Sequence, residues 1–484
     1  MGATLMDCPT GAAINGSRLE IASRATVSFT SIPESTAEDR PENGTRPRKT
    51  RRLDKSEGTK SVLVIRVKSS ADGSETTPSA SQLKNDVFND DVCLAKQYKA
   101  CSHNKLKFVP AQGKGVDGGI MTVTIDSAVK GQDEAIVRSA ATSAASAHFG
   151  IYNLQDQFDH VMVCIPPGTK DNWVAYGYID SWLTVYNDKW CSMVSAQMHE
   201  LGHNLNLAHS GVENKGQYDD KGGMMGISYD QDDGPRMCFN PVKNWQLGWF
   251  EDNAKELDPT SEAPFGAKMV GVDVQNPGSD QFVVIRIRDN NKDYYIGYNG
   301  KKGRNSETVQ GGNMVWVGFK EAGYIPSRRL ALLSESDTYT IGNFRGQKLK
   351  IRFAERLSDE EVYVDIYFEG DGKPEIPVLQ NPCTGEGKAY FQLDLLTDDF
   401  GGETSWSLSE KESGKTIMSG SGYTSNAAYP ENTCISRGVD YTFEIKDTHH
   451  DGICCGNGQG SYKVTVDGKE VASGADFDTR EAST

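Results

Sequence analysis

No stretch of the 484-residue chain is apolar for the roughly 18 residues that a membrane-crossing helix needs. Residues 1–30 also lack the continuous apolar segment of a secretory signal, and Met6 stands where a myristoylation pattern needs Ser or Thr. Basic residues are outnumbered, 51 Lys and Arg against 67 Asp and Glu, leaving a formal net charge of −16. A surface of that sign repels phosphates, so no nucleic-acid partner is expected. Neither a G-x-S-x-G elbow nor a phosphate-binding P-loop supports a rival catalytic chemistry. Histidine is scarce as well. There are eight, and three fall between His199 and His209.

What is present reads as globular: 37% of residues are hydrophobic and 24% charged. Fifty glycines and 9% aromatics suggest loop-rich β structure beside the helical parts. Ten cysteines are many for a reducing compartment. Cys454 and Cys455 are adjacent, and ordinary disulfide geometry disfavours a bond between them. Two bridges from Cys383 and Cys434 to that vicinal pair are therefore expected to staple a small C-terminal module. The reading is of a secreted, extracellular protein whose signal peptide is not visible in this sequence.

Residues 1–59 are rich in Ser, Thr, Gly, Pro and charge and carry two glycosylation sequons, Asn15-Gly16-Ser17 and Asn43-Gly44-Thr45. They are expected to form a weakly structured leader. The basic cluster "RPRKTRRL" (46–53) holds Arg48-x-x-Arg51 and Lys49-x-x-Arg52, spacings that processing proteases accept in an exposed segment. "SVLVIRV" (61–67) then opens an ordered domain expected over 60–256. The pattern predicts a helix in 132–150 stopped by Gly150 and a buried strand in 158–166 closed by proline. Strand and irregular structure are expected in 173–186, a helix from about Cys191 through the histidine motif, and a short helix in 238–250. Over 257–372, segments such as "QFVVIRIRD", "NMVWVGF" and "EVYVDIYFEG" read as short strands between Gly and Asn turns, a β sandwich or barrel. A proline-rich linker (371–382) leads to a last module, 378–484, again of strands and turns. The expected fold class is multidomain α+β, a catalytic domain followed by two β-rich domains.

"HELGHNLNLAH" (199–209) carries the chemistry. On a helix, residues i and i+4 share a face, so His199 and His203 point the same way. Two neutral imidazoles one turn apart suit Zn²⁺, and Glu200 on the rim of that face is placed to take a proton from a zinc-activated water. A third ligand at His209 requires the helix to break, because a continued helix would leave that residue on the wrong side. Asn206 is the break: after glycine, asparagine is the residue that best accepts a left-handed backbone.

His199-Glu200-x-x-His203-x-x-Asn206-x-x-His209 resembles the metzincin zinc motif, with Asn in place of Gly. "GGMMGIS" (222–228) resembles the Met-turn below the metal, with Met225 the preferred methionine and Met224 the alternative. "WCSMVSAQMHELGHNLNLAHSG", "MCFNPVKNWQLGW" and "KQYKACSHNKLKFVPA" together resemble gametolysin-like metallopeptidases of algae, over about 61–250. The resemblance implies a metzincin-like catalytic domain in a secreted zinc endopeptidase acting on extracellular-matrix or cell-wall glycoproteins. His199, His203 and His209 would be metal ligands, Glu200 the catalytic residue and Met225 a hydrophobic floor.

Tyr229 reads either as an extra zinc contact or oxyanion donor, or as a core aromatic. Aromatics of "WVAYGYIDSW" flank the substrate cleft as an edge strand, or pack in the core. His103, His148 and His160 have no ligand spacing and read as structural or surface residues. Asp447, Asp451 and Gly452 begin an EF-hand-like loop, but position twelve is Gly458 and supplies no bidentate carboxylate, so a disulfide-stapled turn is expected over a calcium site. Cys8 is a candidate for keeping the zinc latent, beside pairing or a free thiol. The rival from another class is an adhesive or carbohydrate-binding extracellular protein with a catalytically silent zinc domain, and the intact Glu200 speaks against it. Zinc hydrolysis of a non-peptide amide is a third reading.

Overall fold

The computed structural model describes residues 13–15, 18–20, 56–290, 292–374, 383, 387–477 and 480–483. Cys8, the basic cluster, most of the proline-rich linker and nearly all of the expected leader lie outside the described residues. The chain divides into two compact units: Met1–Glu251 with Arg304–Glu307 and Ala322–Arg328, and Asp252–Gly303 with Thr308–Glu321 and Arg329–Thr484. Strands dominate and helices are few.

The first unit is built on strand β1 (Gly58–Ser69), helix α1 (Leu94–Cys101), strands β2 (Leu106–Pro110) and β3 (Ile120–Ile125), and helix α2 (Glu134–Phe149). Strands β4 (His160–Ile165), β5 (Ala175–Gly177) and β6 (Leu183–Asn187) follow, then helices α3 (Val194–Asn204) and α4 (Pro241–Leu247). The sheet runs β2-β1-β4-β6-β5, with β3 also on β1. Pairings of β1 with β2, β3 and β4, and of β4 with β6, are parallel, whereas β5 is antiparallel to β6 and forms the edge.

Parallel strands are covered on both faces, which is why β1 and β4 read as continuous apolar runs rather than alternating ones. Leu63, Ile65, Val161 and Val163 bury one face against Val137, Ala141 and Ala145 of α2. Asp133 caps α2 by accepting from the Ala135 N–H, and Gly150 ends it in the left-handed conformation, as the sequence predicts. The Tyr98 hydroxyl, fully buried, donates to the Met198 carbonyl at 2.8 Å and ties α1 to α3. Two disulfides, Cys101–Cys238 and Cys164–Cys191, join α1 to the segment before α4 and β4 to the turn before α3.

In the second unit, strands Ala254–Leu257, Val284–Ile287, Lys292–Asn299 and Met314–Glu321 lie side by side. Phe265–Val270, Glu361–Phe368, Gln347–Arg356 and Thr338–Phe344 form the facing sheet, and Ile296, Val317, Phe353 and Val364 share the core between them. A further pair of sheets is built around Lys388–Leu396 with Ser461–Val466, and Thr404–Glu410 with Tyr441–Asp447. Their alternate residues Phe391, Leu393, Trp406, Leu408, Phe443 and Ile445 are buried together.

The disulfide pairing here corrects the expected one: Cys383 bonds Cys434, and Cys454 bonds Cys455. Antiparallel register sets Tyr390 opposite Cys434, and the chain leading into that strand leaves Cys383 with its Cα 5.6 Å from that of Cys434. The Cys454–Cys455 peptide is cis, and the two Cα atoms lie 3.1 Å apart.

Ile65 is fully buried at the centre of β1, so Ile65→Ala should destabilise the first unit by about 2–5 kcal/mol. Thr59→Ala, at the strand's exposed start, should stay within about 0.5 kcal/mol. Urea unfolding of both variants distinguishes the two sites.

Candidate metal centre

Helix α3 is buried along its whole length, and its composition, with Ala, Gln, Met, Glu and Leu, favours helix apart from Gly202. Gly202 is explained by packing: a Cβ there would lie 2.4 Å from the Met225 sulfur. The two methionines of the downstream turn are fully buried, and the preferred one, Met225, fits against the helix between the two histidine turns. The Met224 carbonyl takes the other role, accepting a hydrogen bond from His199 Nδ1 at 2.9 Å.

The helix stops where the sequence places the break. Asn206 has φ +66°, its N–H bonds the His203 carbonyl at 2.9 Å, and the Leu207 N–H reaches back to the Gly202 carbonyl at 2.9 Å. This pair of bonds is a Schellman motif with asparagine at the left-handed position. It turns the chain so that His209 comes back over the helix. The ring centroids of His199, His203 and His209 lie 4.8–5.3 Å apart pairwise. One ligand nitrogen from each falls within 4.8 Å of the others, close enough to share a single ion.

All three rings are buried, and burial favours the neutral imidazole. It pushes His199 down to about 3 and His203 to about 4, and holds His209 well below its ordinary value. Metal ligation needs that neutral form. His203 Nδ1 bonds the Leu207 carbonyl at 2.8 Å and the Tyr324 hydroxyl at 2.8 Å, and the Tyr324 hydroxyl in turn donates to Leu207 O. With Nδ1 of His199 and His203 directed at backbone carbonyls, their Nε2 atoms are left available to a metal, each ring held by its other nitrogen as is usual at metal sites. The donor set therefore fits a metal such as zinc.

Glu200 lies on the same helix with a carboxylate oxygen 3.9 Å from His203 Nε2. Burial raises its carboxyl to about 8, opposed by a hydrogen bond from the Gly177 N–H. Gly177 ends the edge strand β5, and a Cβ there would sit 2.3 Å from the Glu200 carbonyl oxygen, so glycine allows the strand to lie directly on the helix. Strand β5 lies within "WVAYGYIDSW" at the sheet edge beside the carboxylate, but Trp173 and Tyr176 are buried in the core with Tyr178 and Trp182 packed against it, so the aromatics take the core alternative.

Two tyrosines at the histidines carry no motif in the sequence. The Tyr218 ring packs on His209 with centroids 4.2 Å apart, and Tyr324 arrives from residues 322–328, beyond the expected domain end at 256. Tyr229, the tyrosine singled out from sequence, is bound through its backbone N–H and carbonyl to the Ser195 hydroxyl in the first turn of α3. His160 pairs with Asn204 at 3.2 Å, His148 with the Lys114 carbonyl, and His103 packs on Phe250, and the cluster of possible ligands holds none of the three.

Asn206→Gly should leave stability and metal content nearly unchanged. Asn206→Val should destabilise by about 1–2 kcal/mol and weaken metal retention, since a β-branched residue resists positive φ. Denaturant unfolding with metal analysis reads both, and equal metal retention in the two variants would dissociate the turn from the site.

Residues 61–285 match the family of gametolysin peptidase M11. No curated protein matches the chain. Among solved structures, wild-type OgpA from Akkermansia muciniphila aligns at 10% identity over 86% of this chain and 95% of that one, with a TM-score of 0.28, too low to carry an argument. Among the described residues no helix is long and apolar enough to cross a membrane. Over residues 61–285 the match supports a gametolysin-like peptidase family, which implies a metallopeptidase.

Proposed function

We propose that this protein is a secreted zinc endopeptidase that cuts extracellular-matrix or cell-wall glycoproteins, with a metzincin-like catalytic domain and two β-rich domains behind it. The observation that carries the reading is the convergence of three buried imidazoles with one carboxylate, Glu200, at their edge. Zinc held by His199, His203 and His209 would supply Lewis acidity toward a water and the scissile carbonyl. Glu200 takes a proton from the attacking water and returns it to the leaving amine. The Gly177 N–H holds the carboxylate toward the metal side, and Met225 closes the floor under Gly202. At the edge of the sheet, the remaining backbone groups of β5 would pair with an extended peptide and align its bond with Glu200. Four disulfides among the described cysteines support an oxidising, extracellular setting. Removal of the leader at residues 46–53 belongs to the same reading, and N-terminal sequencing of secreted protein tests it.

A protease assay on matrix and cell-wall glycoproteins, with and without a zinc chelator, tests the activity. Failure of the zinc-loaded protein to cut any of them would favour the adhesive reading with a silent site. Glu200→Gln should lower hydrolysis by about 10²–10⁴-fold with zinc retained, whereas His203→Ala should lose both. Equal zinc loss in the two variants would sink the division of roles.

A further inference from the structure

A second group of ligand atoms lies in the C-terminal sandwich. Carboxylate oxygens of Glu403, Asp447 and Asp451 fall within 4.8 Å of one another. Glu403 ends a short turn, Gly401–Glu403, that leads into strand Thr404–Glu410. Asp447 closes strand Tyr441–Asp447, and Asp451 follows in the loop before Cys454–Cys455. Asp447 Oδ1 is fixed by the His449 and His450 N–H groups at 2.9 and 2.7 Å, and Asp451 Oδ2 accepts from Asn457 at 2.7 Å. Among the described residues no Lys or Arg pairs with these three acids. The His449 imidazole, mostly in solvent, lies with Nδ1 3.1 Å from Glu403.

An independent observation points into this cluster. Thr404 is 1% exposed, and its hydroxyl has no hydrogen-bond partner. It stands directly opposite Asp447 in the antiparallel register. Opposed residues in such a pair project to the same face with Cβ atoms about 4.5–5.5 Å apart, so the orphan hydroxyl faces the carboxylates. A buried hydroxyl without a partner is destabilising unless something at the site takes its lone pair. Asp398, also buried, stands near enough for its carboxyl to be raised by burial and then by the charges of Asp447 and Asp451.

We propose that Glu403, Asp447 and Asp451, with the Thr404 hydroxyl, bind a hard divalent cation of the calcium class. The donors are all oxygen and several are charged, which suits calcium over zinc or copper. The loop that begins like an EF-hand at Asp447 lacks its closing carboxylate at Gly458, and Glu403, from the turn before a neighbouring strand, stands in for it. The ion would pin the loop after Asp447 to the turn before Thr404 at one end of the sandwich.

The test is calcium titration of the full-length, zinc-loaded chain by calorimetry, with thermal unfolding alongside. The wild type should take up one calcium at this site with a dissociation constant of about 10⁻⁵–10⁻³ M and unfold at higher temperature in calcium. Glu403→Gln and Asp451→Asn should each weaken binding at least about tenfold, and Thr404→Val by less. Without calcium, both carboxylate variants should unfold no earlier than the wild type, because each relieves repulsion, which separates lost binding from misfolding. His203→Ala should leave calcium binding intact, so the outcome is independent of the zinc reading. No binding at about 10 mM calcium, or equal affinity in the wild type and both carboxylate variants, would overturn the proposal.

Discussion

Helix α3 carries two imidazoles on one face, and a straight continuation would carry His209 about 600° round the axis, away from them. The metal centre therefore depends on a single backbone event, the left-handed turn at Asn206 (φ +66°). Its two hydrogen bonds, Asn206 to His203 and Leu207 to Gly202, satisfy the carbonyls that the helix end would leave open. They also set the Leu207 carbonyl where it accepts from His203 Nδ1. The turn both ends the helix and orients the His203 ring.

Burial then decides the charge of the site. The same desolvation that pushes His199 and His203 down raises Glu200 to about 8, so the four groups are neutral together in the metal-free chain at neutral pH. A divalent cation reverses the balance for the carboxylate alone, since positive charge lowers its proton affinity while the imidazoles already present lone pairs. On the proposed reading, the site would hold a cation and ionise Glu200 as its base when that cation is present. Close packing makes this possible: Gly177 and Gly202 let the edge strand and Met225 approach α3 where any side chain would collide.

The two β sandwiches of the second unit follow a different logic. Their cores come from period-two alternation, but which loops meet at a sandwich end depends on pairing order. Strand Thr404–Glu410 lies beside Tyr441–Asp447, not beside its sequence predecessor, and this brings Glu403 to Asp447 across 44 residues of chain. The disulfides obey the same rule. Cys383 meets Cys434 because the strand that follows Cys383 pairs with the strand that holds Cys434, while the vicinal pair closes on itself.

The local signals were legible in the sequence because each rests on short-range physics. The histidine spacing implied one helical face, Asn206 implied a left-handed break, Gly150 a helix stop, and "SVLVIRV" a buried strand. The methionine under the helix could be narrowed to two neighbours by its motif. The contribution of Tyr324 could not be foreseen, since it returns to the first unit from beyond residue 256 and makes its bond to His203 only through the folded backbone. Tyr218, the Gly177 N–H and the partner of each cysteine were equally hidden, because strand order and register set them. Sequence determined what each short segment can do alone, through dihedral preference, periodicity and ligand chemistry. Tertiary structure decided which segments meet, because burial and hydrogen-bond satisfaction are settled over the whole unit at once.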